Sequence, residues 1–276
     1  MTGENYIAFF GDIHGRQVQM YEAVEEWEQK HQKSIDLVVQ LGDFETMMAE
    51  EDFKSFHAPS YYRFLSNFKF YSSGEKEVPK ETVFIGGNHE CWEHLAKHPE
   101  GGNLIDKVYY MGRSSVIERF GLKIGGISGI YSPKNFMVPH SQKSPFQKNS
   151  TYFNNDDIEK MKKQEKLDIL LLHDWPKGIT MWGDISSICS RRRFDSPEKA
   201  HELGNPHFAE LIKDLSPEYT FCGHMHFYFR AKFPAKQGLK QVVCLGIIGE
   251  DERNMFVLGV KDKKIFEIEE DAVSGK

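Results

Sequence analysis

Hydrophobic positions in the first half of the chain switch repeatedly between two periods. Residues 6–10 form a short apolar run, and residues 17–31 then space their apolar side chains at helical intervals. The exchange repeats at 35–41, followed by a helical region from about residue 46, and at 82–85, followed by a helical pattern over 91–97. Short strands alternating with helices predict an α/β sheet. Further on, the strand candidates at 108–110, 115–120 and 122–128 are separated by Gly112 and Gly121, as in hairpins, so the sheet becomes mixed. Residues 168–172 are almost wholly apolar, the pattern of a buried strand. Residues 206–215 read as a helix leading into a strand at 219–222, and strands at 241–245, 255–260 and 264–269 follow. Aromatic residues in strand-like stretches at 61–70 and 227–229 are assigned to the core. With no internal repeat and no linker, residues 1–276 read as one domain of two face-to-face sheets with helices outside.

One segment breaks this order. Residues 131–152 contain Pro133, Pro139 and Pro145, the lysines Lys134, Lys143 and Lys148, and no acidic residue. An irregular stretch longer than about 12–15 residues within a compact domain is usually functional or disordered. Residues 101–150 hold seven Lys or Arg against two acids, whereas residues 1–50 hold three against ten. The basic character is therefore local, and a substrate-recognition loop for an anionic ligand is expected at 131–152. Tyr131, Phe136, Phe146 and Tyr152 lie in or beside it and are candidates for stacking on nucleic-acid bases. Arg191–Arg193 is a second basic run, read first as a solvated face.

The overall composition narrows the function by exclusion. A net charge of −6 argues against holding nucleic acid by bulk positive charge. No apolar run approaches the roughly 18–20 residues of a membrane span, and the N-terminus lacks a basic signal region, so a cytoplasmic or nuclear protein without a membrane partner is expected. Cys91, Cys189, Cys222 and Cys244 form no C-x-x-C pair and read as reduced thiols. Twelve histidines are the informative excess, because imidazole serves both as metal ligand and as acid or base near neutral pH.

Five of those histidines fall in motifs that share one context, the turn that leaves a strand. They are GDIHG (11–15), GDF (42–44), GNHE (87–90), His173 after the apolar run 168–172, and GHMH (223–226). The outer ends of strands are where α/β folds place ligands. Together the motifs offer two carboxylates, one amide and five imidazoles, a mixed nitrogen and oxygen set suited to Mn²⁺, Fe, Zn²⁺ or Ni²⁺ rather than Ca²⁺ or Mg²⁺.

The order D-x-H, GD, GNH, H, GHxH resembles the calcineurin-like metallophosphoesterase superfamily. Within it the chain is most similar to the RNA lariat debranching enzymes, through LGDFETMMAEED (41–52), FYSSGEKEVPKETVFIGGNHE (70–90), VYYMGRSSVIERFGLKIGGISGIYS (108–132) and LLHDWPKGI (171–179). The resemblance implies a four-layer α/β/β/α sandwich of two mixed sheets holding two divalent metal ions. By position it assigns Asp12, His14 and His226 to one ion and Asn88, His173 and His224 to the other, with Asp43 bridging. His89 would face the phosphate and either donate a proton to the leaving alkoxide or stabilise the developing charge. Two close cations lower the pKa of a bridging water, so that hydroxide is available at neutral pH to attack a phosphodiester. Asp174, in the shared HDWP stretch, would support its neighbours, and Trp175 reads as core.

The resemblance also names the loop at 131–152 as the segment that meets branched RNA, with Lys134, Lys143, Lys148 and Tyr152 as substrate-binding candidates. Two departures stand out: Asp12 occupies a position where debranching enzymes usually carry Cys, and Asn154, Asn155, Asp156 and Asp157 replace the basic residues that usually follow the loop. The activity implied is a 2′-5′ phosphodiesterase acting on branched or single-stranded RNA. A broader phosphodiesterase or phosphatase acting on nucleotides or small esters remains the alternative, and a non-catalytic debranching-like scaffold a third. Cys91 and the histidines at 31, 57, 94, 98, 140, 201 and 207 have no motif context and default to structural positions.

Overall fold

Period-two alternation sets the layers. A computed structural model describes residues 3–192, 196–235, 238–250 and 253–268. In β1 (Asn5–Phe10), Tyr6, Ala8 and Phe10 pack against Met20, Tyr21 and Val24 of α1 (Gln17–His31), while Ile7 and Phe9 point the other way into a second core. The chain continues through β2 (Leu37–Gln40), α2 (Phe68–Ser72), β3 (Thr82–Phe84), α3 (Trp92–Leu95), β4 (Gly102–Ile105) and β5 (Val108–Tyr110). Next come β6 (Ser114–Arg119), β7 (Leu122–Ile127), α4 (Asn155–Lys162), β8 (Ile169–Leu172), α5 (Ser186–Arg192) and α6 (Pro197–His201). The last elements are α7 (Pro206–Leu215), β9 (Tyr219–Cys222), β10 (Phe229–Ala235), β11 (Gly238–Cys244), β12 (Met255–Lys261) and β13 (Lys264–Glu267).

The strands form a seven-stranded sheet, ordered β13-β12-β1-β2-β3-β5-β4, and a six-stranded sheet, ordered β10-β11-β9-β8-β7-β6. Both are mixed: β1, β2, β3 and β5 run parallel in one, as do β7, β8, β9 and β11 in the other, with antiparallel strands at the edges. The sheets meet at a shared core, where the rings of Phe9 and Phe221 stack with centroids 3.8 Å apart. β8 is apolar on both faces because both are covered: Ile169 and Leu171 enter the shared core, while Leu170 and Leu172 pack under α4 and α7. Helix α7 has Pro206 in its first turn and an Asn205 side chain that caps the Phe208 N–H at 3.0 Å. Phe208, Leu211, Ile212 and Leu215 form its buried stripe. The expected four-layer α/β/β/α sandwich of two mixed sheets is present.

Several local expectations change. The helical region from residue 46 is instead a loop with a 3-10 turn, Glu50–Lys54, because the Asp52 carboxylate captures the Met48 and Ala49 N–H groups and closes a tight turn. The strand-like stretch 61–70 contains a 3-10 turn, Ser60–Tyr62, and the start of α2. β4 and α4 are additional elements, not expected from the sequence pattern. Residue 269 and Arg193 lie outside the described residues, as do the side chains of Arg191 and Arg192. Among the described residues no helix is long and apolar enough to cross a membrane, and the four cysteines are free.

Candidate metal centre

The ends of β1, β2, β3, β8 and β9 converge where the two sheets meet, and each delivers its motif to one spot. Backbone and carboxylate interlock there: Asp12 Oδ1 accepts the His224 N–H at 2.8 Å, Asp43 Oδ1 accepts the His89 N–H at 2.6 Å, and the His14 N–H reaches the Asp43 carbonyl at 2.9 Å. This interlock demands unusual backbone. Among the described residues, five of the eleven non-glycine positions with left-handed φ are His14, Asp43, Glu45, His224 and His226. It also demands glycine, since a Cβ on Gly87 would collide with the Asp43 carboxylate, and one on Gly223 with that of Asp12. Asp12, His14, Asp43 and His173 are buried, while Asn88, His89, His224 and His226 form the partly open mouth.

The donor atoms face one another as the ligands of a cation would. Asp12 Oδ2 is buried without a hydrogen bond, although His226 Nε2 lies 3.0 Å away. His14 Nε2 lies 3.0 Å from His226 Nε2, 3.9 Å from Asp12 and 3.8 Å from Asp43 Oδ2. On the other side, His173 Nδ1 donates to the Leu41 carbonyl at 2.8 Å. That bond turns Nε2 toward two oxygens, Asn88 Oδ1 at 3.1 Å and Asp43 Oδ1 at 3.4 Å. Lone pairs crowded in a buried space are stabilised by positive charge, so these residues fit divalent cations. Asp43 has one oxygen on each side, Oδ2 toward His14 and Oδ1 toward His173. His224 completes the second group, its ring 5.1 Å from that of His173.

Two buried glutamates surround the donors, and neither was singled out from the sequence. Glu45 Oε1 lies 2.7 Å from His14 Nδ1. Glu90 accepts the Gly87, Phe44 and Glu45 N–H groups at 2.9–3.0 Å and fastens the GNHE turn to the GDF turn. Burial, then Asp43, pushes Glu90 up to about 8 and Glu45 well above the carboxylate range. Burial also holds His14 neutral, down at about 4, which is the form that binds metal. At His173 burial is outweighed by Asp43 and Asp12, and the imidazole rises to about 10, another sign that the pocket attracts positive charge. Tyr62, expected in the core, instead stacks on His14 with centroids 4.6 Å apart and meets His89 edge-on at 4.7 Å. The only signals available for these three were GDFE, GNHE and an unremarkable Tyr-Tyr.

The family model for calcineurin-like phosphoesterases matches residues 6–228 and so spans all five motifs. The chain belongs to the calcineurin-like phosphoesterase family. Members use divalent metals, in keeping with this donor set. The chain is 36% identical over 231 residues to a lariat debranching enzyme of Danio rerio, covering 82% of this chain and 41% of that one. It is equally 36% identical to a lariat debranching enzyme of Arabidopsis thaliana, covering 82% and 55%. It thus spans about half the length of the curated relatives it matches. A solved crystal structure aligned over 97% of this chain and 100% of its own, at TM-score 0.53 and 12% identity, shares the fold.

The 131–152 segment is packed in part and exposed in part. Phe136 is buried and stacks on His207 at 3.9 Å, and Tyr131 fits between Phe136 and Phe153, so Phe136 is corrected from a base-stacking candidate to a core residue. Phe146 is half exposed. Lys134 and Lys148 point to solvent, whereas Lys143 turns inward and donates to the Tyr152 carbonyl at 2.7 Å. Tyr152, half-buried, bridges back to Ile130. Asp174 accepts from the Trp175 N–H at 2.9 Å, and its other oxygen lies 3.4 Å from the Tyr131 and Asn205 donors, linking the His173 turn to the loop's first residue. Trp175 is buried, its indole N–H on the Gly223 carbonyl. Asn154 and Asp157 cap α4 by exchanging backbone N–H bonds at 3.2 and 2.9 Å, which gives these two residues a structural role at the start of the helix.

Proposed function

We propose that this phosphoesterase hydrolyses phosphodiesters with two divalent ions, one among Asp12, His14 and His226, the other among Asn88, His173 and His224, with Asp43 between them. The observation that carries the reading is the split of the Asp43 oxygens toward the two groups. Mn²⁺, Fe²⁺, Zn²⁺ and Ni²⁺ all suit the donors. Such ions, when bound, neutralise phosphate oxygens and lower the pKa of water. The protein's own residues do the rest. Glu45 keeps the His14 ring oriented, and Asp43 holds the His89 backbone. His89, whose buried Nδ1 has no protein partner, delivers a proton to the departing alkoxide.

The substrate favoured by the debranching relatives is RNA joined through a 2′-5′ branch, met by the basic 131–152 segment as the recognition insertion of a single domain. Lys134 and Lys148 offer exposed charge, and Tyr152 and Phe146 offer rings. The inward turn of Lys143 favours a second reading, a phosphodiesterase acting on nucleotides or small esters that needs less of the loop. Free thiols suit a reducing compartment, cytoplasmic or nuclear. The test supplies purified protein and Mn²⁺, Fe²⁺ or Zn²⁺ with RNA bearing both 2′-5′ and 3′-5′ linkages, beside a generic aryl phosphodiester. Loss of the 2′-5′ linkage with the 3′-5′ linkage intact is expected. Rapid aryl ester cleavage with an untouched branch would reject debranching.

A further inference from the structure

A second set of metal donors, separate from the strand-end motifs, lies behind the GNHE turn. Asp52, Cys91 and His94 place a carboxylate oxygen, a thiol and an imidazole nitrogen within 4.8 Å of one another. Cys91 and His94 lie three residues apart, on the residue before α3 and inside it, so both face the same side. Asp52 belongs to the Glu50–Lys54 turn on the facing loop.

Each donor is held by its other atoms. Asp52 Oδ2 is occupied by the Met48 and Ala49 N–H groups at 2.7 and 3.0 Å, leaving Oδ1 directed at His94 Nε2, 3.2 Å away. His94 Nδ1 bonds to the Thr46 hydroxyl at 3.0 Å, the outer contact that fixes a ligating imidazole and frees Nε2. Cys91 Sγ is buried against Ser55 Oγ at 3.2 Å, while Asp52 and His94 are partly exposed and provide a way in. A tetrahedral ion with bonds of about 2.0–2.3 Å separates its ligands by about 3.3–3.8 Å, close to the Asp52–His94 spacing.

We propose that Asp52, Cys91 and His94 bind one thiophilic divalent ion of the Zn²⁺ class, with the fourth position taken by water or by Ser55. Coordination releases the Cys91 thiol proton to solvent. The ion fastens the 46–56 loop to α3. That loop carries Phe56, which shares an apolar cluster with Cys91 and meets the His89 ring edge-on at 6.0 Å, so the site braces the wall behind His89. Its role is structural, and no reaction step uses it.

Sulfur makes the test selective, because none of the proposed catalytic ligands is a thiol. Metal-free protein is titrated with Co²⁺ and the thiolate-to-cobalt charge-transfer absorption is followed. A saturable band worth one ion per chain is expected, unchanged in Asp43→Asn and absent in Cys91→Ser. His94→Gln weakens Co²⁺ binding at this band at least tenfold, and it guards against a Cys91 variant that fails to fold. No band in protein whose Cys91 is shown to be reduced, or a band that survives Cys91→Ser, overturns the site.

Discussion

Glu45 Oε1 sits 2.7 Å from Nδ1 of His14, and both side chains are buried. A carboxyl oxygen that accepts from the outer nitrogen fixes the tautomer that presents Nε2 to a metal. Glu45→Gln should therefore lower metal affinity by about 10–100-fold with the fold intact. Competition titration with a chelator measures this, and unchanged affinity would contradict the orienting role.

His89 is proposed to move a proton rather than hold a metal. His89→Gln should cut kcat on a phosphodiester with an alkoxide leaving group by about 10²–10⁴-fold, with metal content unchanged. An aryl ester, whose leaving group needs no proton, should lose far less. Equal losses on the two substrates would show that His89 acts in some other way.

How much of this was legible follows from how far each signal reaches along the chain. Residues 17–31 and 206–215 became helices with those bounds, because an amphipathic stripe is written locally. The metal candidates were legible because each strand end carries its own short motif. Glu45 and Glu90 were not, since their meaning lies in partners 31 and 46 residues away. Phe136 reads as a free aromatic in a polar loop, and the faces of His207 from α7, Phe153 and Tyr131 together make it core. For Tyr62 the reverse holds, because nothing in its own segment announces three imidazoles beside it.

Asn154 ties the loop to α4 twice, capping the Asp157 N–H at 3.2 Å and donating to the Val138 carbonyl at 3.1 Å. Asn154→Ala should cost about 1–2 kcal/mol. A thermal unfolding midpoint equal to that of the parent would contradict this account of the loop's anchoring.

Burial, with Arg113 nearby, pulls the Lys143 amine down to about 8 from 10.5. Between about pH 8 and 10.5 the unfolded chain therefore carries a proton that the folded chain has released, and stability rises with pH in that window. Below it both forms are protonated and the effect is constant. Lys143→Met should flatten the rise in unfolding midpoint between those values. A variant with the same slope as the parent would place the charge elsewhere.

Asp43 is proposed to stand between two ions. Anomalous diffraction from crystals loaded with Mn²⁺ should show two peaks at the strand ends, one among Asp12, His14 and His226 and one among Asn88, His173 and His224, both within bonding distance of Asp43. A single peak there, or none, would contradict the two-ion centre.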